Sequence, residues 1–329
     1  MTANRWHPDV LGSDYSQMVI PLGSDPDGEG DIVTTVVRYT GGLPQSPVGV
    51  VLYVHGMSDY FFQKHVAEHF AQLGYAFYAL DLRKCGRSRL DGHTPHYVSS
   101  LSLYDADLDS AMRVIRAEYP EAPVLLTAHS TGGLIVPLWL NRRRKRLGAE
   151  GTAGFAGIIL NSPFFDLPAP LAVRTVGTAV AEAVGGFIGK RQLPREEGVD
   201  HYGSSLHISR DGDWDYDLDW KPLTGFPVRF GWLRAIRRGQ ITLHRGLDLD
   251  IPALILRSKL SRLTKAHAHI TDVADLVLDV RQIQKYAGSL GDRTTIVPIV
   301  DARHDVFLSA EKPRNKAFAE VDRWISALD

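Results

Sequence analysis

Six short runs of almost unbroken apolar residues, separated by longer segments of helical period, set the tightest limit on what this chain can fold into. They are Val48 to Val54, Tyr75 to Leu80, Val124 to Ala128, Phe155 to Leu160, Ala253 to Leu256 and Thr294 to Val300. Strands buried on both faces read this way, because neither side meets water. Between Leu103 and Tyr119, by contrast, Leu108, Ala111, Met112, Ile115 and Tyr119 recur at spacings of three and four, which marks one face of a helix. Alternation of the two patterns predicts a mostly parallel, doubly wound α/β sheet.

One interval breaks the rhythm. About ninety residues separate Leu160 from Ala253, and a structureless loop of that length inside a compact domain is improbable. The expected organisation is a core formed by 1–165 and 247–329, with 166–246 inserted as a cap. The insert carries a small-residue apolar segment, Thr175 to Ile188, expected to be helical, and an aromatic, acidic stretch, Asp213 to Trp220.

The formal net charge is −1, so no whole-chain field draws the protein onto nucleic acid or an anionic membrane. The single cysteine, Cys85, allows no intramolecular disulfide and fits a reducing compartment. The first residues hold no apolar signal region, and no run reaches the roughly 18 apolar residues of a spanning helix. A cytoplasmic protein without stable membrane insertion is expected; the oligomeric state stays open.

Ala128-His129-Ser130-Thr131-Gly132-Gly133 follows an apolar run and opens a helical segment, Leu134 to Leu147. A serine displayed on a sharp strand-to-helix turn needs small flanking residues, and the helix N-terminus favours developing negative charge. Ser130 is therefore the candidate nucleophile, with Ala128 and Gly132 as its small neighbours. An oxyanion needs two donors: the residue after the nucleophile and a loop after an early strand. His55-Gly56-Met57 closes such a strand, which nominates the backbone amides of Met57 and Thr131.

A serine hydroxyl needs a base. His304, in Ala302-Arg303-His304-Asp305 after the last apolar run, occupies the slot that the chain order serine, acid, histidine requires. The acid should follow Ala253 to Leu256, where Asp272, Asp275 and Asp279 compete. Asp279 precedes a helix start at Val280 and suits an N-cap; Asp275 lies in the loop proper, better placed to orient an imidazole.

Other features read more plainly. His65 and His69 have the i, i+4 spacing of metal ligands but no third ligand nearby, and a solvated helix face is the expected reading. His267 and His269 are expected on the surface. Arg142 to Arg146 suits a solvated helix C-terminus stopped by Gly148. Cys85 stands among Arg83, Lys84 and Arg87, whose charge could lower its pKa, yet it has no assigned base and reads as an incidental thiol.

Together, the elbow, the His-Gly-Met turn, Asp81-Leu82-Arg83 with Gly86-Arg87-Ser88, and the His304 loop resemble the monoacylglycerol lipases, bacterial lysophospholipases and related serine aminopeptidase-like α/β-hydrolases. The resemblance spans roughly 32–165 and 246–328. It implies the α/β-hydrolase fold with an inserted cap, Ser130 as nucleophile, and the first aspartate of Ala274 through Asp279 as the acid, which favours Asp275. Ala128 departs from the family's first elbow glycine, and Arg257 to Thr271 lengthens the segment before the acid. The implied activity is hydrolysis of a small-molecule or lipid-like carboxylic ester, such as a monoacylglycerol or lysophospholipid, through an acyl-enzyme and without metal or organic cofactor. Two rivals accompany it: an amide or peptide hydrolase of the proline iminopeptidase type, and a non-catalytic ligand-binding protein on the same fold.

Overall fold

The computed structural model describes residues 5–169, 182, 185–186, 188–194, 201–263 and 272–328. Its strands are β1 (His7–Asp9), β2 (Gly12–Ser24), β3 (Asp31–Tyr39), β4 (Gly49–Val54), β5 (Tyr75–Asp81), β6 (Val124–His129), β7 (Phe155–Asn161), β8 (Ala253–Ser258) and β9 (Thr294–Ile299). They form one nine-stranded sheet in the order β1-β2-β3-β5-β4-β6-β7-β8-β9. From β5 to β9 every neighbouring pair is parallel. The six apolar runs are these parallel strands, with ends shifted by one or two residues.

The first three strands were not foreseen. They pair antiparallel and join the sheet at β5. The exposed and half-buried positions of β2 and the threonines of β3 interrupt any continuous apolar run, so the pattern that betrays two-sided burial is missing here.

Described helices are α1 (Lys64–Gln72), α2 (Asp105–Glu118), α3 (Gly132–Leu147), α4 (His201–Leu206), α5 (Phe230–His244), α6 (Val280–Tyr286) and α7 (Glu311–Ile325). The pleat divides the core in two. Val50, Leu52 and Val54 of β4 face a cluster with Leu108, Ile115, Leu134, Leu138 and Ile236 of α2, α3 and α5. Val51 and Tyr53 face the opposite cluster, with Val66 and Phe70 of α1 and Val321 of α7. The expected helix from Leu103 begins as a 3₁₀ turn, Leu101–Tyr104, before α2 proper. Gly148, with φ +63°, ends α3 as the sequence implied.

Between β7 and β8 the chain leaves the sheet. The helix expected over Thr175 to Ile188 falls almost wholly outside the described residues, as do His267 and His269. Among the described residues, α5 packs on α3, with Gly239 facing Leu101, Leu134 and Leu138. Its Arg237 reaches back to Asp166 at 2.6 Å. Tyr216 joins Tyr60, Phe62, Leu206 and Leu308 in a third cluster, flanked by Trp214 and Trp220. No helix among the described residues is long and apolar enough to cross a membrane.

The approach of α3 to β4 fixes the position of everything that follows. A Cβ at Gly132 would stand 2.5 Å from the His55 carbonyl oxygen and 2.7 Å from that of Val54. Both obstacles are backbone, which cannot rotate aside. Gly132→Ala is therefore expected to lose about 1–3 kcal/mol or more by overpacking, read as a lower denaturation midpoint at unchanged slope.

Candidate active site

Ser130 sits between the end of β6 and the start of α3 with φ +51°, a region that non-glycine residues rarely occupy. Strain of this kind costs on the order of 1–3 kcal/mol and persists only where the surroundings over-determine it. Here the Ser130 N–H donates to the Asn161 carbonyl at 2.9 Å, and the Ser130 carbonyl accepts from Gly133 and Phe164, each at 3.0 Å. Gly56 lies so close that a Cβ there would meet the Ser130 Cβ at 2.9 Å.

The structure brings Ser130, His304 and Asp275 together. The Ser130 Oγ is 3.0 Å from His304 Nε2, and His304 Nδ1 is 2.9 Å from Asp275 Oδ2. An ionised Asp275 accepts only, so Nδ1 carries the proton and Nε2 turns its lone pair to the serine. The other Asp275 oxygen accepts from the Val277 and Leu278 amides at 2.8 Å each. Its backbone is pinned to Leu260 and Arg262. The competing acids stand elsewhere. Asp279 caps α6, accepting from Arg281 N at 3.0 Å, and Asp272 pairs with Arg303 at 3.3 Å.

Met57 and Thr131 line the same cavity as Ser130 and His304, and no described residue accepts a hydrogen bond from either backbone N–H. The loop carrying Met57 is fixed by His55, whose Nδ1 donates to the Gly56 carbonyl at 2.7 Å while Nε2 accepts from Leu82 N at 3.1 Å. The cavity measures about 500 Å³ and has largely apolar walls, including Phe164, Leu206, Phe226 and Trp232.

Three residues in and behind the cavity wall were missed in the sequence. His129 donates through Nδ1 to Asp59 at 3.1 Å, and its buried Nε2 has no partner among the described residues. The other Asp59 oxygen accepts from Lys221 Nζ at 2.8 Å. Burial opposes ionisation of Asp59, but Lys221 and then His129 overcome it and hold the carboxyl well below its usual range. The placement of His129 beside the nucleophile was a signal in the sequence; nothing local linked Asp59 to Lys221.

Several other expectations need correction. His65 and His69 do not form a solvated face: His65 stacks on Trp214 and bonds the Phe307 carbonyl at 2.9 Å, while His69 stacks on Phe318 and meets Asp322 at 2.7 Å. Burial lowers the His65 pKa to about 4. The basic end of α3 is only partly solvated, since Arg142, Arg143 and Arg144 pair with Asp105, Asp109 and Asp250. Cys85, by contrast, is the incidental thiol expected: burial pushes it well above its ordinary value, so the neighbouring cations do not activate it.

Sheet order, strained serine and cavity define the class as an α/β-hydrolase. More narrowly, the family described as serine aminopeptidase, S33, matches residues 45–308, and the chain belongs to it. The chain is 30% identical over 140 residues to a monoacylglycerol lipase of Mycolicibacterium smegmatis, covering 42% of this chain and 45% of that protein. It is 25% identical over 235 residues to the monoglyceride lipase of Rattus norvegicus, covering 70% and 67%. The match thus spans less than half the length of the bacterial relative. Among solved structures, a soluble variant of monoglyceride lipase from Saccharomyces cerevisiae superposes with TM-score 0.64 at 16% identity, over 98% of this chain and 100% of that one.

The Asp59–Lys221 pair yields a test of its own. Removing one partner of a buried pair typically costs about 3–5 kcal/mol, so Lys221→Met should be strongly destabilised at neutral pH. Asp59 has a depressed folded pKa, so its contribution is present above the unfolded carboxylate range and lost as pH falls through the folded value. At pH 4 the wild-type Asp59 is still ionised, whereas the buried Asp59 of Lys221→Met, having lost its cation, gains from taking up a proton, so the gap between wild type and Lys221→Met should narrow in acid. Denaturant titrations at pH 7 and pH 4 measure it, and an equal gap at both would contradict the assignment.

Proposed function

We propose that this chain is a serine hydrolase of carboxylic esters bearing an apolar acyl group, with monoacylglycerols and lysophospholipids as the leading substrate class. The observation that carries the reading is the continuous chain Ser130–His304–Asp275, at 3.0 and 2.9 Å. His304 takes the Ser130 proton as the hydroxyl attacks the ester carbonyl, and Asp275 holds the tautomer and stabilises the imidazolium. The Met57 and Thr131 amides receive the oxyanion, and His304 then protonates the leaving alcohol. Water repeats the sequence on the acyl-enzyme. Residues 166–246 act as the cap, contributing Leu206, Phe226 and Trp232 to the apolar wall where the acyl chain lies.

The names of the relatives, monoacylglycerol and monoglyceride lipases, support the ester over the amide. So does the cavity. An aminopeptidase needs a carboxylate free to receive the substrate amine; none of the described residues lining the cavity is an aspartate or glutamate, and Asp59, behind the wall, is already committed to Lys221 and His129.

Two measurements test the reading. A fluorophosphonate probe should label wild type and not Ser130→Ala; labelling that survives in the variant would overturn it. Hydrolysis of a medium-chain monoacylglycerol by Asp275→Asn should fall on the order of 10⁴-fold with little change in melting temperature. Asp279→Asn, which alters only the cap of α6, should keep most activity and lose at most about 1 kcal/mol.

A further inference from the structure

The residue after His304 is a fully buried carboxylate that the proposed reaction leaves unused. Asp305 Oδ1 accepts from Asn161 Nδ2 at 2.6 Å and from Phe307 N at 3.0 Å. Oδ2 accepts from Gln63 Nε2 at 3.3 Å and lies 4.0 Å from His129 Nδ1. Its backbone N–H donates to the Tyr202 hydroxyl at 3.2 Å. Among the described residues, no lysine or arginine pairs with it. A cap for the 3₁₀ turn Val306–Leu308 accounts for Oδ1 alone, and a neutral asparagine would serve that purpose without burying a charge.

Asn161 links this carboxylate to the nucleophile. Its backbone carbonyl accepts from Ser130 N, its amide donates to Asp305, and its side-chain oxygen accepts from Val306 N at 3.1 Å. One residue at the end of β7 therefore holds both the serine turn and the histidine loop. The surrounding phenols register the Asp305 charge: burial first, and Asp305 next, push Tyr53 and Tyr202 well above their ordinary values.

We propose that Asp305 is a second carboxylate of the site, a positioning residue whose buried charge favours the imidazolium of His304, and that Asn161 is the clamp joining it to the Ser130 turn. The inference rests on the serine-hydrolase reading above. The charged and titratable groups around the imidazole are Asp275, Ser130, the His129 ring with its centroid at 5.0 Å and the Tyr202 ring at 5.5 Å. The neighbouring Arg303 guanidinium is turned to Asp272 and the Leu308 carbonyl. Around Asp305 stand Asn161, Gln63, Tyr53, Tyr202, His129 with Asp59 behind it, and His65.

The base must be neutral to accept the serine proton, so activity rises as the imidazolium deprotonates. A carboxylate that stabilises the imidazolium holds the acidic limb at higher pH; deleting its charge moves the limb down. Asp305→Asn, which keeps an oxygen for Asn161 and Phe307, should move the acidic limb of fluorophosphonate labelling down by about one pH unit and reduce kcat more than it changes KM. Asn161→Ser breaks the clamp between the carboxylate and the serine turn and should reduce kcat roughly tenfold or more through misplacement of the base. A downward limb in Asp305→Asn with a lowered kcat in Asn161→Ser supports the proposal, and if Asp305→Asn does not fold, an undiminished kcat in folded Asn161→Ser overturns it. An unmoved limb in folded, labelled Asp305→Asn would overturn it while leaving the serine-hydrolase reading intact. Absence of Ser130-dependent labelling in wild type would instead sink the underlying reading.

Discussion

The arrangement depends on a serine held in a left-handed backbone conformation. Ser130 at φ +51° would relax into an ordinary turn were it not fastened on both sides. Its N–H is committed to β7 and its carbonyl to the chain beyond β7 and the first turn of α3. The parallel sheet makes this possible. Because β6 lies between β4 and β7, the turn at its end is within reach of the Met57 loop on one side and of Asn161 on the other. The entropy of bringing hydroxyl, imidazole and amide donors together is thereby met by the fold before any substrate arrives.

What could be read in the sequence was what is local or periodic. Two-sided burial wrote itself into six apolar runs, and the serine turn carried its strand, its small residues and its helix in one contiguous stretch. Asp275 could be separated from Asp279 because a helix cap and a loop acid sit differently relative to the next helix. What stayed hidden is long-range. Lys221 and Asp59 are 162 positions apart, and neither has a local pattern that announces the other. The charge around Cys85 is a related case. The cations beside it in sequence are consumed in space: Arg83 by Asp107, Lys84 by Asp25, and Arg87 by Asp9 and Asp81. His65 likewise looked solvated until Trp214, from the segment between β7 and β8, covered it.

The residues between β7 and β8 dock on the loops that carry the chemistry. Phe226 N donates to Ser58 Oγ at 2.7 Å, next to Met57, and Asp217 N donates to the Tyr60 hydroxyl at 2.8 Å. Trp214 Nε1 donates to the Leu308 carbonyl at 2.9 Å, four residues past His304. Tyr202 meets both the His304 ring and the Asp305 amide. Each contact therefore couples the placement of this segment to a loop that holds a candidate donor or base. Under the proposed function, substrate selection and base placement would share one set of hydrogen bonds.

The buried acids show how the charge is apportioned. Asp59, Asp275 and Asp305 are each at most 1% exposed, and each is satisfied differently. Asp59 has a full cation in Lys221, so its field beyond the pair is short. Asp275 has two backbone amides and the imidazole itself, which places its charge where an imidazolium would form. Among the described residues, Asp305 has neutral donors and the edge of His129 at 4.0 Å, so no lysine or arginine cancels its field. Fully buried as Asp305 is, little solvent reorients to screen its charge. A fixed carboxylate of this kind stabilises the imidazolium of the proposed reaction without reorganising at the moment of proton transfer. Neutral clamping thus has a physical rationale: a cation at Asp305 would secure the loop equally well but would quench the field that the base is positioned to use.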